Sequence, residues 1–229
     1  MSRDPKLLLF DIDGTLLLSG GAGLRSVNRV FLERFGIPDA MAGYLPDGKT
    51  DPAIFRELMR SLVGRDPTAA ESDAMAEAYL EALPDEVRES PGYEIMPGVI
   101  PLLEALEKDT DNFLGLATGN LETGARIKLE RAGLVRFFRF GGYGSDHEDR
   151  ARILAQAIER GKHIAERDFG DRHIIVIGDT PRDIAAARRV GARCIAVATG
   201  SSDAEELARY LPDGVLQDLT DVEAFLELL

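Results

Sequence analysis

Short apolar runs, each ending at a polar or glycine turn residue, recur along the 229-residue chain and constrain its fold more than any other feature. Five such runs are present, at residues 7–10, 113–117, 137–140, 173–177 and 194–198. Segments with helical spacing of apolar residues alternate with them, at residues 97–108, 121–132, 149–160, 181–190 and 203–210. Near-continuous apolar strands separated by helices are typical of a parallel sheet covered on both faces. The pattern therefore predicts a doubly wound α/β core.

The stretch from residue 16 to residue 93 does not follow this alternation. It shows helical patterning at residues 24–35, 52–62 and 68–83 and no convincing strand. We therefore expect residues 1–15 and 94–229 to form the core and residues 16–93 to form a helical domain inserted after the first strand. Because ligands of doubly wound sheets bind at the carboxyl ends of the strands, this insertion is expected to cover the binding crevice.

Composition limits the partners of the chain. It carries 27 Lys and Arg residues against 40 Asp and Glu residues, a formal net charge of −13, so we expect neither nucleic acid nor an anionic membrane as a partner. Cys194 is the only cysteine, which excludes an intrachain disulfide and a thiolate metal site. Only four apolar residues follow the charged segment 1–6, too few for a signal peptide or a membrane span. We expect a cytoplasmic protein, monomeric or homodimeric.

Acidic residues follow two of the predicted strands. The motif DIDGT at residues 11–15 comes directly after the first, and its glycine permits a sharp turn that lets Asp11 and Asp13 take different roles around one ligand. Asp179 ends another strand, and Asp183 lies in the first turn of the next helix. Carboxylates at neighbouring strand ends fit a hard, oxygen-preferring cation such as Mg²⁺. The alternatives are a solvated turn for Asp11 and Asp13 and a charge that favours the helix dipole for Asp183.

A third polar element, Thr118-Gly119-Asn120, lies between a predicted strand and a predicted helix. A hydroxyl group together with the free N–H groups of a helix start can hold a phosphate. The alternative is an ordinary helix N-cap, for which Thr and Asn are common.

Together these three elements resemble the haloacid dehalogenase superfamily, whose members are mostly phosphohydrolases with an aspartate nucleophile. The superfamily's first motif matches residues 11–15, its second matches Thr118, and its fourth matches residues 178–183. The insertion resembles the helical cap of the phosphoglycolate phosphatase-like branch. The resemblance covers nearly the whole chain. It implies a Rossmann-like core and a Mg²⁺-dependent phosphatase that acts on a small phosphorylated metabolite, either phosphoglycolate-like or a sugar phosphate.

The resemblance also implies a role for each residue. Asp11 would attack phosphorus to form an aspartyl-phosphate, and Asp13 would protonate the departing alkoxide and then deprotonate the attacking water. Mg²⁺ would be held by the Asp11 carboxylate, the Asp13 carbonyl and Asp179, while Asp183 would orient metal-bound waters or the basic residue of the site. Thr118 and the neighbouring N–H groups would stabilise the phosphate oxygens. An Asp at position 13 also favours phosphoryl transfer over dehalogenation.

The third motif departs from the superfamily pattern, which has a lysine after the third core strand. Residues 144–150 contain no lysine, and Arg150 is our candidate for the basic role. The alternatives are that Arg150 is an exposed helix charge or that His147 fills the role. In the insertion, Lys49 lies on a loop before a helix and is either a contact for the non-phosphate end of the substrate or a solvated loop residue.

Three other functions are compatible with these motifs. A phosphomutase uses the same aspartyl-phosphate but returns the phosphoryl group to its substrate. A phosphonoacetaldehyde hydrolase would need a Schiff-base lysine in the insertion, for which Lys49 is the candidate. A catalytically silent phosphate-binding protein is the third, although binding alone does not require a nucleophile.

Overall fold

A computed structural model describes residues 4–229, so residues 1–3 of the N-terminal segment lie outside the described part of the chain. Its larger sheet has six parallel strands in the order β5-β4-β1-β6-β7-β8. The strands are β1 (Lys6–Phe10), β4 (Asn112–Ala117), β5 (Phe140–Gly142), β6 (Ile174–Gly178), β7 (Arg193–Val197) and β8 (Gly214–Leu216). The prediction of a doubly wound parallel sheet is confirmed.

Helices cover both faces of this sheet, as the apolar strands require. They are α4 (Val99–Lys108), α5 (Glu122–Arg131), α6 (Arg150–Ala165), α7 (Pro181–Arg189), α8 (Ala204–Ala208) and α9 (Val222–Glu227). Successive residues of β1 alternate between the two hydrophobic cores: Leu8 and Phe10 pack into one, and Leu7 and Leu9 into the other. The central strand is therefore buried on both faces.

The predicted insertion contains α1 (Ala22–Phe35), α2 (Asp51–Leu58), which continues into a π-helical turn at Met59–Val63, and α3 (Ala69–Glu89). These helices bury a third hydrophobic cluster, which includes Phe31, Met59 and Tyr79. The cluster gives the helices a core separate from those of the sheet, and the boundaries 16 and 93 remain our proposal for the two domains.

Three local expectations were wrong, and one strand was not predicted. The insertion does contain a strand, because β2 (Leu17–Ser19) pairs antiparallel with β3 (Tyr93–Ile95) and forms a ribbon where the chain leaves and re-enters the core. Residues 135–137 form a 3₁₀ turn, so the third parallel strand begins only at Phe140. The edge strand β8 was not predicted, since three residues are too few to show a pattern.

The third helix of the insertion is longer than expected. It continues past residue 83 to Glu89. Pro84 lies within it and lacks the N–H for one helix hydrogen bond, but the continuation buries Val87.

Candidate active site

The candidate site lies where the carboxyl ends of β4, β1 and β6 meet beneath the helices of the insertion. Asp11, Thr118 and Asp179 each follow one of these adjacent strands, and all three line one cavity of about 430 Å³. The opposite wall comes from the insertion and includes Val27 and Ile54. The structure therefore brings the three strand ends together in one crevice under the inserted helices, as expected from the sequence.

A glycine shapes the turn after β1. Gly14 has a φ of 83°, a left-handed conformation that favours glycine. A Cβ atom on Gly14 would also lie 2.4 Å from the Oδ2 atom of Asp179. The backbone turn and the close approach of two strand ends thus both require glycine at this position.

Three buried carboxylates lie together on the core side of the cavity. One oxygen from each of Asp11, Asp179 and Asp183 lies within 4.8 Å of the others. Burial raises the pKa of Asp11 to about 6 against the opposing charge of Arg150, and the charge of Asp183 raises it further. Burial, followed by the charges of Asp183 and Asp11, raises the pKa of Asp179 well above its usual value. A divalent cation would offset this repulsion, and an all-carboxylate donor set fits a hard cation.

The three carboxylates differ in how many of their oxygens are already used. The Oδ1 atom of Asp179 accepts a hydrogen bond of 3.0 Å from the Thr15 hydroxyl. Both oxygens of Asp183 accept hydrogen bonds, Oδ1 from Arg150 and Oδ2 from the Thr180 hydroxyl at 2.7 Å. Asp179 therefore keeps an oxygen, Oδ2, that accepts no hydrogen bond from any described residue, and Asp183 is placed to hold the arginine and the start of α7.

Arg150, the first residue of α6, reaches the predicted nucleophile. Its Nη2 atom lies 2.6 Å from Oδ2 of Asp11, and its Nε atom donates to Asp183 at 2.8 Å. His147 instead accepts a hydrogen bond from the N–H group of Asp149 and lies outside the residues that line the cavity. Of the two candidates for the basic role, the structure brings Arg150 to Asp11.

The loop after β4 links the core to the insertion. The side-chain Nδ2 atom of Asn120 donates to Oδ2 of Asp13 at 2.7 Å and to the Thr118 hydroxyl at 2.8 Å. The carbonyl oxygen of Gly119 accepts from the N–H group of Asp51 at 2.9 Å, and a Cβ atom on Gly119 would lie 2.3 Å from the carbonyl oxygen of Lys49. The insertion therefore rests directly on the predicted phosphate loop.

Lys128 of α5 is a site residue that the sequence analysis missed. Its ammonium group lies 2.8 and 2.7 Å from the two carboxylate oxygens of Asp13 and 2.6 Å from Oδ1 of Asn120. The residue is only 5% exposed. Its position was a readable signal, because Lys128 lies on the buried face of α5 with Ala125 and Leu129, where a charged residue needs a partner.

The insertion presents Lys49, Asp51 and Tyr79 to the cavity. The ammonium of Lys49 is held by the Tyr44 hydroxyl at 3.0 Å and by Glu57 at 2.7 Å. Asp51 accepts a hydrogen bond of 2.8 Å from the backbone N–H of Leu121. A contact between Lys49 and the substrate stays a prediction, and it would have to compete with Glu57.

Comparison with known proteins identifies the family. The model of the haloacid dehalogenase-like hydrolases matches residues 8–197, which include every residue of the cavity's core side from Asp11 to Asp179. The chain belongs to this family. The resemblance inferred from the motifs is thereby confirmed, and the chain is a hydrolase.

Individual relatives of this haloacid dehalogenase-like hydrolase match it over almost its whole length. A phosphoglycolate phosphatase from Synechococcus elongatus is 29% identical and covers 94% of both chains. A validoxylamine A 7'-phosphate phosphatase from Streptomyces hygroscopicus subsp. limoneus is 27% identical and covers 95% of both. The solved structure of a hydrolase from Pseudomonas syringae superposes with a TM-score of 0.73 at 23% identity, covering 98% of both chains, which shows the shared fold.

No helix within residues 4–229 of the hydrolase is both long and apolar enough to cross a membrane.

Proposed function

We propose that this hydrolase is a Mg²⁺-dependent phosphatase of a small phosphorylated metabolite and that it works through an aspartyl-phosphate on Asp11. The observation that carries the proposal is the position of Asp11: a buried carboxylate at a strand end, contacted by Arg150 and two residues from Asp13. The relatives named as phosphatases, one for phosphoglycolate and one for validoxylamine A 7'-phosphate, support phosphomonoesters as the substrate class.

Two proton transfers and two displacements make up the reaction. A carboxylate oxygen of Asp11 attacks phosphorus, the ester P–O bond breaks, and Asp13 donates a proton to the departing alkoxide. Asp13 then accepts a proton from water, which attacks the aspartyl-phosphate and releases inorganic phosphate and free Asp11. The same side chain can serve both steps because it loses a proton in the first and regains one in the second.

The other site residues hold charge and geometry. The guanidinium of Arg150 offsets the negative charge of Asp11 and of the entering phosphate. Thr118 and the N–H group of Gly119 supply hydrogen-bond donors for the phosphate oxygens, whereas the N–H of Asn120 already donates to the Thr118 hydroxyl at 3.3 Å. Asp11, Asp179 and the backbone carbonyl of Asp13 would hold Mg²⁺, which would offset the repulsion between the nucleophile and the phosphate dianion.

Phosphate release from a panel of phosphomonoesters tests the proposal. We expect phosphate release with Mg²⁺ and none with EDTA. The rate of release should fall at least about 1,000-fold in Asp11→Asn. Asp85→Asn, which removes one exposed carboxylate from α3, is the matched control and should behave as wild type. Normal turnover in Asp11→Asn, or release that is indifferent to EDTA, would contradict the mechanism.

The alternatives give different products. A phosphomutase would not release stoichiometric phosphate from a single ester, because it returns the group to its substrate. A phosphonoacetaldehyde hydrolase would be trapped by borohydride on Lys49, whose ammonium is engaged by Glu57 and Tyr44. A silent binder would release no phosphate from any ester. The cytoplasmic location and the monomeric or homodimeric state stay predictions.

A further inference from the structure

The cations that line the cavity each have an anionic partner already. Among the described residues these cations are Lys49, Lys128 and Arg150. Lys49 is paired with Glu57, Lys128 with Asp13, and Arg150 with Asp11 and Asp183. Arg150 and Mg²⁺ on the core side would balance the charge of Asp11 and of one phosphate dianion. None of the three cations that line the cavity is then left unpaired for a second anionic group on the substrate.

Asp51 adds a negative charge to the part of the cavity that the insertion lines. Its backbone N–H donates to Gly119 at 2.9 Å and its Oδ2 atom accepts from the N–H of Leu121, which places the carboxylate directly above the predicted phosphate loop. No described cation forms an ion pair with it. Burial raises its pKa to about 6, with Lys128 opposing, so the carboxylate is charged at pH 7.5.

Tyr79 supplies a hydroxyl group without a partner. The residue is 1% exposed, lines the cavity, and its hydroxyl makes no hydrogen bond with any described residue. Because Tyr79 lines the cavity and its hydroxyl group has no protein partner there, the hydroxyl is available to donate a hydrogen bond to a ligand oxygen or accept one from it. Asp51 and Tyr79 are close enough for the charge of Asp51 to raise the pKa of the phenol further, after the effect of burial.

We propose that Asp51 and Tyr79 form a subsite that binds a hydroxyl group on the leaving-group end of the substrate and disfavours a carboxylate there. A hydroxyl can donate to Asp51 and accept from Tyr79, whereas a carboxylate can only repel Asp51. The inference rests on the proposed phosphatase function and narrows it to esters of hydroxylated, uncharged alcohols, the polyol and sugar phosphates, rather than phosphoglycolate.

Three small esters separate the effect of a hydroxyl group on binding from that of a carboxylate. 2-Hydroxyethyl phosphate, ethyl phosphate and phosphoglycolate all have two carbons and differ only in the second carbon, which is a CH₂OH, a CH₃ or a carboxylate group. Their dissociation constants are measured by calorimetry at pH 7.5 with Mg²⁺ on the Asp11→Asn variant, which should bind esters without turning them over. Binding is thereby measured separately from phosphate release, which tests the function itself in wild type.

We expect 2-hydroxyethyl phosphate to bind at least about tenfold more tightly than phosphoglycolate. Adding Asp51→Asn, which keeps an acceptor for the N–H of Leu121, should shift that ratio at least about tenfold toward phosphoglycolate. Asp47→Asn is the matched control, because Asp47 also lines the cavity but is exposed, and it should leave the ratio unchanged. Adding Tyr79→Phe should weaken binding of 2-hydroxyethyl phosphate more than that of ethyl phosphate.

Each contrary result overturns the subsite. Preference of the Asp11→Asn protein for phosphoglycolate contradicts the charge argument, as does a ratio that Asp51→Asn leaves unchanged or that Asp47→Asn shifts equally. Failure of wild type to release phosphate from any ester would contradict the proposed function alone, because the binding ratios are read on a variant that needs no turnover.

Discussion

The ammonium group of Lys128 lies between the two carboxylate oxygens of Asp13 and the side-chain oxygen of Asn120, with all three distances between 2.6 and 2.8 Å. The lysine comes from α5 and the aspartate from the turn after β1, 115 residues apart. Asp13 is thus held from one side by a buried cation and an amide, which limits the directions in which it can present a proton to a leaving group.

Lys128→Met should impair the reaction most where proton donation is most needed. We expect kcat/KM for an alkyl phosphate to fall about 100-fold, and that for p-nitrophenyl phosphate less than about tenfold, because a nitrophenolate leaves without a proton. Steady-state kinetics on the two esters give the comparison. Arg126→Met, an exposed change on the same helix, is the control. Equal losses on both esters would show that Lys128 supports the fold and does not act through Asp13.

Arg150→Met should lower kcat/KM by about 100- to 1,000-fold, because Asp11 and the phosphate would then repel each other without a neighbouring guanidinium. Arg150→Lys should recover only part of the loss, since an ammonium cannot bind Asp11 and Asp183 through separate nitrogens. His147→Ala should remain within about twofold of wild type, because His147 does not line the cavity. The reverse ranking in a phosphate-release assay would return the basic role to His147.

Gly119→Ala should hold the insertion away from the core. The added Cβ atom would lie 2.3 Å from the carbonyl oxygen of Lys49, and a backbone atom cannot move aside cheaply. We expect KM to rise about tenfold, while the melting temperature changes little. Gly170→Ala is the matched control, because its nearest neighbour to a new Cβ atom is a ring nitrogen at 3.6 Å. An unchanged KM in Gly119→Ala would show that the contact with the insertion is not needed for binding.

Asp51→Asn should alter how stability depends on pH. Burial raises the pKa of Asp51 from 3.8 to about 6, so the folded state binds the proton more tightly than the unfolded state. The stability that this proton confers is complete below about pH 4 and lost as the pH rises through about 6. The free energy of unfolding of Asp51→Asn, taken relative to wild type, should therefore be larger at pH 8 than at pH 4 by on the order of 1 kcal/mol. The effect is no larger because Asp51 is partly exposed and solvent screens part of it.

Urea unfolding of the metal-free proteins at both pH values measures that gain. Asp47→Asn, which removes a nearby exposed charge, serves as the comparison. A gain for Asp51→Asn that does not change with pH, or one matched by Asp47→Asn, would exclude a raised pKa at Asp51 as its cause.

Much of the fold and part of the site could be predicted because the relevant patterns are contiguous in the chain. An apolar run followed by Asp or Thr specifies both a buried strand and the residue at its carboxyl end, and parallel strands bring such ends to one edge. This is why the sequence predicts one crevice for Asp11, Thr118 and Asp179, although their individual roles stay predictions. The short strands β2 and β8 were missed because three residues show no alternation.

The sequence by itself determined the parallel sheet, the helical insertion and the edge at which the acidic residues collect, since each follows from the local order of apolar, polar and glycine residues. Only the tertiary structure decided which charges face one another: Arg150 rather than His147 lies against Asp11, and Lys128 lies against Asp13. Asp51 forms no ion pair within residues 4–229. The physical reason is that burial and ion pairing depend on the packing of elements far apart in the chain, and a lysine on a helix face has the same local sequence whether that face meets water or Asp13.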